Sequence, residues 1–168
     1  MSIGDWLKEQ KDNTTVGIMQ FANKDFMEAT AASCAMISCA DGSISSEEKQ
    51  KMVGYISLSD SLKVFDLNDV LTRFNHYADM FEFDYNVGKT EAMKAIGKIK
   101  RKSEEAKALV ALCCSIGGSD VDFDKAEISL VKEMCSVLKI KPADFKLWYI
   151  KIENIVKIEY NYYIYLTK

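Results

Sequence analysis

An internal repeat links two parts of this chain and restricts the folds that it can adopt. When residues 29–57 are aligned with residues 108–136, seven positions of the first segment are identical in the second: Ala29, Ala32, Cys34, Ile37, Asp41, Glu48 and Ser57. In both copies an apolar, helix-like stretch leads into an acidic loop, and that loop leads into an amphipathic helix. The repeat therefore predicts two similar helix–loop–helix halves that pack with pseudo-twofold symmetry.

The spacing of apolar residues along the rest of the chain also favours helices. Apolar residues recur every three to four positions, which is the period of an α-helix. The sequence has only one proline and eight glycines, the residues that most often interrupt helices. We predict an all-α domain of about seven helices: Lys24 to about Cys39, Ser46 to about Ser57, one that starts after Asp66 or Asn68, one capped by Asp84 that reaches about Lys100, Glu104–Ile116, Lys125–Leu138 and a last helix that begins at Pro142.

Composition and charge exclude several classes of function. The net charge of −3 is too small for a nucleic-acid-binding surface, so we expect no nucleic-acid partner. No apolar run approaches the roughly 18 residues of a transmembrane helix, and the first residues lack the basic and apolar parts of a secretory signal. The five cysteines are odd in number and form no CxxC pair, which is typical of reduced thiols in a cytoplasmic protein.

The sequence contains no recognisable catalytic motif. The single histidine, His76, has no serine or cysteine nucleophile placed near it by a known pattern. The glycine pair in "IGGSD" follows a predicted helix and lacks the Lys-Ser/Thr ending of a phosphate-binding loop. We therefore expect a protein that is not an enzyme.

The acidic loops admit two interpretations, of which the first is helix capping. Ser45 and Asp124 fit N-cap positions, and Glu48 and Glu127 stand three residues further on in each copy. This spacing is that of a capping box, in which the glutamate side chain accepts the N-cap amide. Capping accounts for these four residues without a metal ion.

In the second interpretation the loops bind a divalent cation. Capping does not explain Asp41, Asp120 or Asp122, and neighbouring carboxylates repel one another unless a cation lies among them. Alternating side-chain oxygens suit a hard cation, but Lys125 and Val131 stand where an EF-hand requires glycine and glutamate. Each loop alone offers too few oxygen ligands, so a site would have to draw on both. The spacing leaves both interpretations open.

Longer stretches of the chain resemble the TerB family of tellurite-resistance proteins. The similarity lies in "DGSISSEEKQKMVGYI", "LKVFDLNDVLTRFNHYADMFEFD", "VGKTEAMKAI" and "GGSDVDFDKAEISLVKEMCSVLKIKPADF", and it extends from about Phe21 to Phe145. It implies an internally duplicated helical domain whose paired acidic motifs bind a divalent metal ion, with calcium favoured. The ligands implied by the resemblance are Asp41, Glu48, Asp120 and Glu127, with Glu47, Asp122 and Asp124 as auxiliary ligands.

The resemblance also implies a place in the Ter stress-response system. The expected function is that of a non-enzymatic adaptor that contributes to tellurite resistance. The expected partners are a TerC-like membrane protein and TerD-like proteins. The expected location is the cytoplasm, at the inner face of the membrane.

Two features depart from the family pattern. Val121 stands where the second acidic motif usually has glycine, and a β-branched residue resists the positive φ that glycine allows. The tyrosine-rich end of the chain lies beyond the pattern. We therefore divide the chain into a flexible N-terminal segment (residues 1–20), a TerB-like helical domain (21–147) and a C-terminal extension (148–168).

Two other functions stay open on the sequence. Cys34 and Cys113 occupy equivalent positions in the repeat, which suggests that their thiols handle tellurite or related oxidants directly. Both lie on apolar helix faces, however, where the reactive thiolate is disfavoured. The third candidate is a plain helical interaction scaffold that binds no metal.

Overall fold

The computed structural model describes residues 21–59, 62–117 and 124–145. These ranges contain α1 (Lys24–Ser38), α2 (Ser46–Leu58), α3 (Leu67–Phe83), α4 (Tyr85–Gly97), α5 (Ser103–Gly117), α6 (Lys125–Leu138) and a short 3₁₀ helix, Pro142–Phe145. No strand occurs within them. The prediction of an all-α fold is confirmed, and of the roughly seven helices expected, the described ranges contain six α-helices and the 3₁₀ helix. Segments 1–20 and 148–168 lie outside the described residues.

Helix boundaries follow the capping residues that the sequence offers. Asp66 begins α3 by accepting the backbone amides of Asn68 and Asp69, at 2.9 and 3.2 Å. Asp84 begins α4 in the same way, and its carboxylate accepts the amide of Val87 at 3.0 Å. Each bond satisfies an amide that has no partner within the helix. Asp84 was predicted as a cap and is confirmed. Of the two starts predicted for α3, after Asp66 or after Asn68, the structure has the first.

One helix ends earlier than predicted, and another is of a tighter kind. Helix α4 stops at Gly97 instead of about Lys100, because the amides of Lys98, Ile99 and Lys100 bond to the carbonyl three residues back. Such bonds are the tighter pattern in which α-helices often finish. The helix predicted from Pro142 is a 3₁₀ helix as far as Phe145, where the described residues end.

Helix α1 lies at the centre of the domain. Ten consecutive residues, from Glu28 to Ile37, are buried, and α1 packs most extensively against α3 and α4 and also against α5. Its many alanines let neighbouring backbones approach closely while burying apolar surface. Since α1 ends at Ser38, its last turn brings the first acidic loop to the edge of the core.

A buried charge fastens α1 to α3. Glu28 is only 7% exposed, and its carboxylate accepts a hydrogen bond of 2.6 Å from the hydroxyl of Tyr77. The guanidinium of Arg73 lies 3.1 Å from the other carboxylate oxygen. Burial, together with this carboxylate, raises the pKa of Tyr77 above its ordinary value. A buried carboxylate needs such partners, because removing a charge from water costs several kcal/mol if the charge is left unpaired.

The repeat is present in the helices themselves. At the offset that aligns residue 29 with residue 108, helices α1 and α5 begin and end at equivalent positions, and α2 and α6 begin at equivalent positions. Helix α5 packs against α1 and α6, whereas α2 packs against α1 and α3. The predicted helix–loop–helix duplication is therefore confirmed in the positions of the helices.

Candidate functional site

The first acidic loop is a tight turn that leaves α1. The carboxylate of Asp41 accepts the backbone amide of Ser43 at 3.2 Å, and the aspartate is exposed. Gly42 has a φ of 103°, a conformation that residues with a side chain rarely adopt. Asp41 therefore stabilises a turn that depends on glycine, and this structural role was not predicted from the sequence.

Both acidic loops end in capping boxes, as predicted. In the first copy the amide of Glu48 donates to Ser45 Oγ at 3.1 Å, and the amide of Ser45 donates to Glu48 Oε2 at 2.7 Å. In the second copy the amide of Glu127 donates to Asp124 Oδ1 at 2.8 Å, and the amide of Asp124 donates to Glu127 Oε2 at 3.0 Å. Each box orients its glutamate through one oxygen and leaves the other carboxylate oxygen outside the box.

The two glutamates line one cavity. This Glu48–Glu127 cavity has a volume of about 200 Å³, and its other described lining residues are Ile37, Ser38, Lys51, Met52, Tyr55 and Ile116. Ile37 and Ile116 are equivalent in the repeat, as are Glu48 and Glu127. The cavity therefore lies where the two halves of the duplicated fold meet.

The remaining wall of the cavity comes from one half only. Lys51, Met52 and Tyr55 all belong to α2, and Lys51 is exposed whereas Met52 is buried. The cavity thus extends from an apolar floor to a charged rim at the surface. Lys51 and Tyr55 were not predicted as site residues. Their positions one and two turns after Glu48 on α2 were the available signal, because residues at such spacings share a helix face.

The other predicted ligands are not brought together in the described residues. Asp41 and Glu47 are exposed, and Asp124 is occupied as the N-cap of α6. Asp120, Asp122 and Val121 lie outside the described residues. Across residues 21–59, 62–117 and 124–145, no group of three or more His, Cys, Asp or Glu side chains is arranged to hold a metal ion.

The donor chemistry of the cavity fits a divalent cation in part. Carboxylate oxygens are suitable ligands for calcium, and Glu48 and Glu127 reach the same space from opposite halves. Calcium takes about six to eight oxygen ligands, however, so two glutamates would form only part of its shell. The ammonium of Lys51 in the same wall opposes a second positive charge.

The equivalent cysteines are buried in the core. Cys34 and Cys113 have no exposed surface, and burial raises the pKa of Cys34 to about 12. Burial also raises the pKa of Cys113, and the nearby thiol of Cys34 adds to that shift. Since the thiolate is the nucleophile, both thiols are in their unreactive form near neutral pH. This environment favours packing over thiol chemistry.

Comparison with known proteins identifies the family. The model of the family described as tellurite resistance protein TerB matches residues 27–148, which is more than half of the chain. The chain belongs to the TerB family. A tellurium resistance protein TerB from Alcaligenes sp is 42% identical over 100 residues, which covers 60% of this chain and 82% of that protein. No solved structure matches the chain.

Membership of the TerB family agrees with the all-α fold. It does not test the predicted division of the chain. The TerB family match begins at residue 27 and ends at residue 148, and the division into residues 1–20, 21–147 and 148–168 stays a prediction. Among the described helices, none combines the length and the apolar character that spanning a membrane requires.

Proposed function

We propose that this protein is a non-enzymatic, cation-binding adaptor that contributes to tellurite resistance. Membership of the TerB family supports the role in resistance. The observation that carries the cation is the placement of Glu48 and Glu127, equivalent residues of the two halves, around one cavity. A divalent cation there would offset the repulsion between the two carboxylates and link the halves.

The chain's own residues divide the work of holding the cation. Glu48 and Glu127 would provide carboxylate oxygens from the two halves, and their capping boxes would keep them oriented. Asp41 and Asp120 would complete the shell from the loops, with Glu47, Asp122 and Asp124 as auxiliary ligands. Calcium is the favoured cation, because it takes about six to eight oxygen ligands, whereas magnesium is usually held by only one or two carboxylates and keeps several waters.

The adaptor role follows from what a shared cation would do to the loops. By joining carboxylates of both halves, the cation would hold the two acidic loops in one arrangement and create a surface for partner proteins. The proposed partners are a TerC-like membrane protein and TerD-like proteins. The proposed location is the cytoplasm at the inner face of the membrane.

Calorimetric titration of the purified full-length chain with calcium, magnesium, manganese and zinc tests the cation. Glu48→Gln with Glu127→Gln removes two charges but keeps the capping boxes, since glutamine also caps at this position. We expect this double variant to bind the cation at least about 10-fold more weakly, because even the loss of groups that only hydrogen-bond to metal ligands typically costs about 10–100-fold in affinity. The double variant Asp41→Asn with Asp120→Asn should also bind the cation more weakly than the unmodified chain.

The matched control is Glu104→Gln with Glu133→Gln, which makes the same change in net charge away from the cavity. Glu104 pairs with Lys107 and Glu133 with Lys89, both on exposed surfaces. Equal affinity in the control and in the Glu48/Glu127 variant would overturn the proposed site. A calorimetric titration in which none of the four cations releases or absorbs heat of binding would also overturn the proposed site.

The two alternative functions have separate tests. Fast labelling of Cys34 and Cys113 by a thiol reagent in the folded protein would favour thiol-based handling of tellurite, whereas their burial supports protection. Retention of protein partners after calcium removal would favour the plain scaffold. Loss of partners on calcium removal, together with protected thiols, supports the cation-binding adaptor.

A further inference from the structure

The Glu48–Glu127 cavity has features that a metal site does not need. Its floor is apolar, since Ile37, Met52 and Ile116 are all buried. Tyr55 adds an aromatic ring to the wall. A cation coordinated only by carboxylates and water has no use for such a surface, whereas a ligand with an apolar part does.

The size of the cavity suits one side chain. Pockets for drug-sized ligands measure about 300–1,000 Å³, and this cavity of about 200 Å³ is smaller. It is nevertheless many times larger than the roughly 10–15 Å³ of cavity volume that one water molecule needs. The volume therefore matches a ligand larger than a bare ion and smaller than a typical cofactor.

The charges of the cavity favour a cationic ligand. The described lining contains two glutamates and one lysine, so it has an excess of negative charge. An anion would be repelled by both carboxylates. The helix N-termini that flank the cavity also offer less to an anion, because the amides of Glu48 and Glu127 already donate to Ser45 and Asp124.

We propose that the Glu48–Glu127 cavity binds the arginine side chain of a partner polypeptide. The inference rests on the proposed function, since it gives the adaptor its docking site. The planar guanidinium offers five N–H donors that match carboxylates, and it stacks on aromatic rings such as that of Tyr55. The methylene stem of arginine packs on apolar surface such as Ile37, Met52 and Ile116. A lysine ammonium, as a compact point charge, would use less of this lining.

The arginine and the proposed cation share Glu48 and Glu127. A cation bound to both carboxylates would therefore weaken arginine binding. The test of the cavity is for this reason run in the presence of EDTA, and the cation titrations are run separately. Failure of the cation site would then leave the arginine result unaffected, and failure of arginine binding would leave the cation result unaffected.

The probe is the capped tripeptide acetyl-Gly-Arg-Gly-amide, followed by methyl NMR on the full-length chain. We expect saturable shifts for the methyl groups of Ile37, Met52 and Ile116. The same peptide with citrulline keeps the shape of arginine but has no charge, and we expect it to bind at least fivefold more weakly. Equal binding of the two peptides would overturn the proposal, as would the absence of shifts at these methyl groups.

Three variants assign the binding to the cavity. Glu48→Gln with Glu127→Gln should weaken arginine binding at least 10-fold, whereas Glu104→Gln with Glu133→Gln should leave it unchanged. Lys51→Gln removes the competing positive charge and should strengthen binding a few-fold. Weaker binding in Lys51→Gln, or unchanged binding in the Glu48/Glu127 variant, would contradict the assignment.

Discussion

The two copies of the repeat differ at the position that Glu28 occupies in the first and Lys107 in the second. Glu28 is buried and bonds to Tyr77 and Arg73, whereas Lys107 is exposed and pairs with Glu104 at 3.1 Å. The difference follows from the neighbours: α1 is covered by α3 and α4, while α5 packs against α1 and α6. Equivalent positions in a repeat therefore take both their burial and their bonding partners from the elements packed on them.

The largest expected loss of stability comes from a substitution that pushes apart α3 and α4, the two helices that cover α1. A Cβ atom added to Gly88 on α4 would lie 2.6–2.7 Å from atoms of Phe81 on α3, including its backbone N and Cα. Backbone cannot yield as a flexible side chain can, so we expect Gly88→Ala to lower the free energy of unfolding by about 3 kcal/mol. Urea denaturation followed by circular dichroism measures the change.

Gly54→Ala is the matched control for Gly88→Ala. Gly54 lies within α2, and a Cβ added there meets no atom within 4 Å. Alanine has the higher helix propensity, so this variant should gain about 0.5–1 kcal/mol. A loss of similar size in both variants would show that the α3–α4 contact is not the cause.

The next largest effect tests the contrast between Glu28 and Lys107 directly. Arg73→Met removes the cationic partner of a buried carboxylate and should cost about 2 kcal/mol, less than the 3–5 kcal/mol of a fully buried pair because the Arg73 side chain is 39% exposed. Lys107→Met breaks an exposed pair and should change stability by less than about 0.5 kcal/mol. Thermal and urea denaturation measure the loss of stability in each variant. Equal losses in the two variants would contradict the difference in burial between Glu28 and Lys107.

The caps should behave alike in the two copies. Ser45→Ala and Asp124→Ala each remove the side chain that accepts the N3 amide, and each should cost about 1 kcal/mol. Similar losses, measured by urea denaturation, would confirm that local bonds are equivalent in the repeat. A loss more than twice as large in one copy would indicate that tertiary contacts also act on that cap.

The smallest expected effect is the change of stability with pH that the buried thiols of Cys34 and Cys113 cause. Burial raises the pKa of Cys34 from 9.0 to about 12 and also raises that of Cys113, so the folded state retains protons that the unfolded chain releases near pH 9. Their contribution to stability is complete below about pH 8 and is lost as the pH rises toward the folded pKa. We expect each thiol to lower stability by a few tenths of a kcal/mol between pH 7 and pH 9, where only part of the unfolded thiol is ionised.

Single alanine substitutions separate the two thiols. Cys34→Ala and Cys113→Ala should each reduce the loss of stability between pH 7 and pH 9 by a similar amount, as measured by urea denaturation at both pH values. An unchanged pH dependence in both variants would mean that these thiols ionise equally well in the folded and unfolded chain. Such a result would favour accessible, reactive cysteines.

The helices and their caps could be predicted because their causes lie close together in the sequence. Asp84 and both capping boxes depend on residues within three positions of one another, and all three were predicted correctly. The start of α3 was predicted only as after Asp66 or after Asn68, and Asp66 is the cap. The end of α4 was predicted three residues too late, since apolar spacing does not distinguish a final α-helical turn from a tighter one. The turn role of Asp41 was missed, although the glycine that follows it was visible.

The candidate site depends on both the sequence and the tertiary structure. The sequence alone determined that the chain is helical and duplicated, and that Glu48 and Glu127 are equivalent, because period and repeat spacing are properties of the chain itself. Only the tertiary structure decided that these glutamates line one cavity with Lys51 and Tyr55, and that Glu28 is buried while Lys107 is exposed. The physical reason is that a helix specifies which residues share a face, whereas the packing of α1 against its neighbours specifies which faces meet.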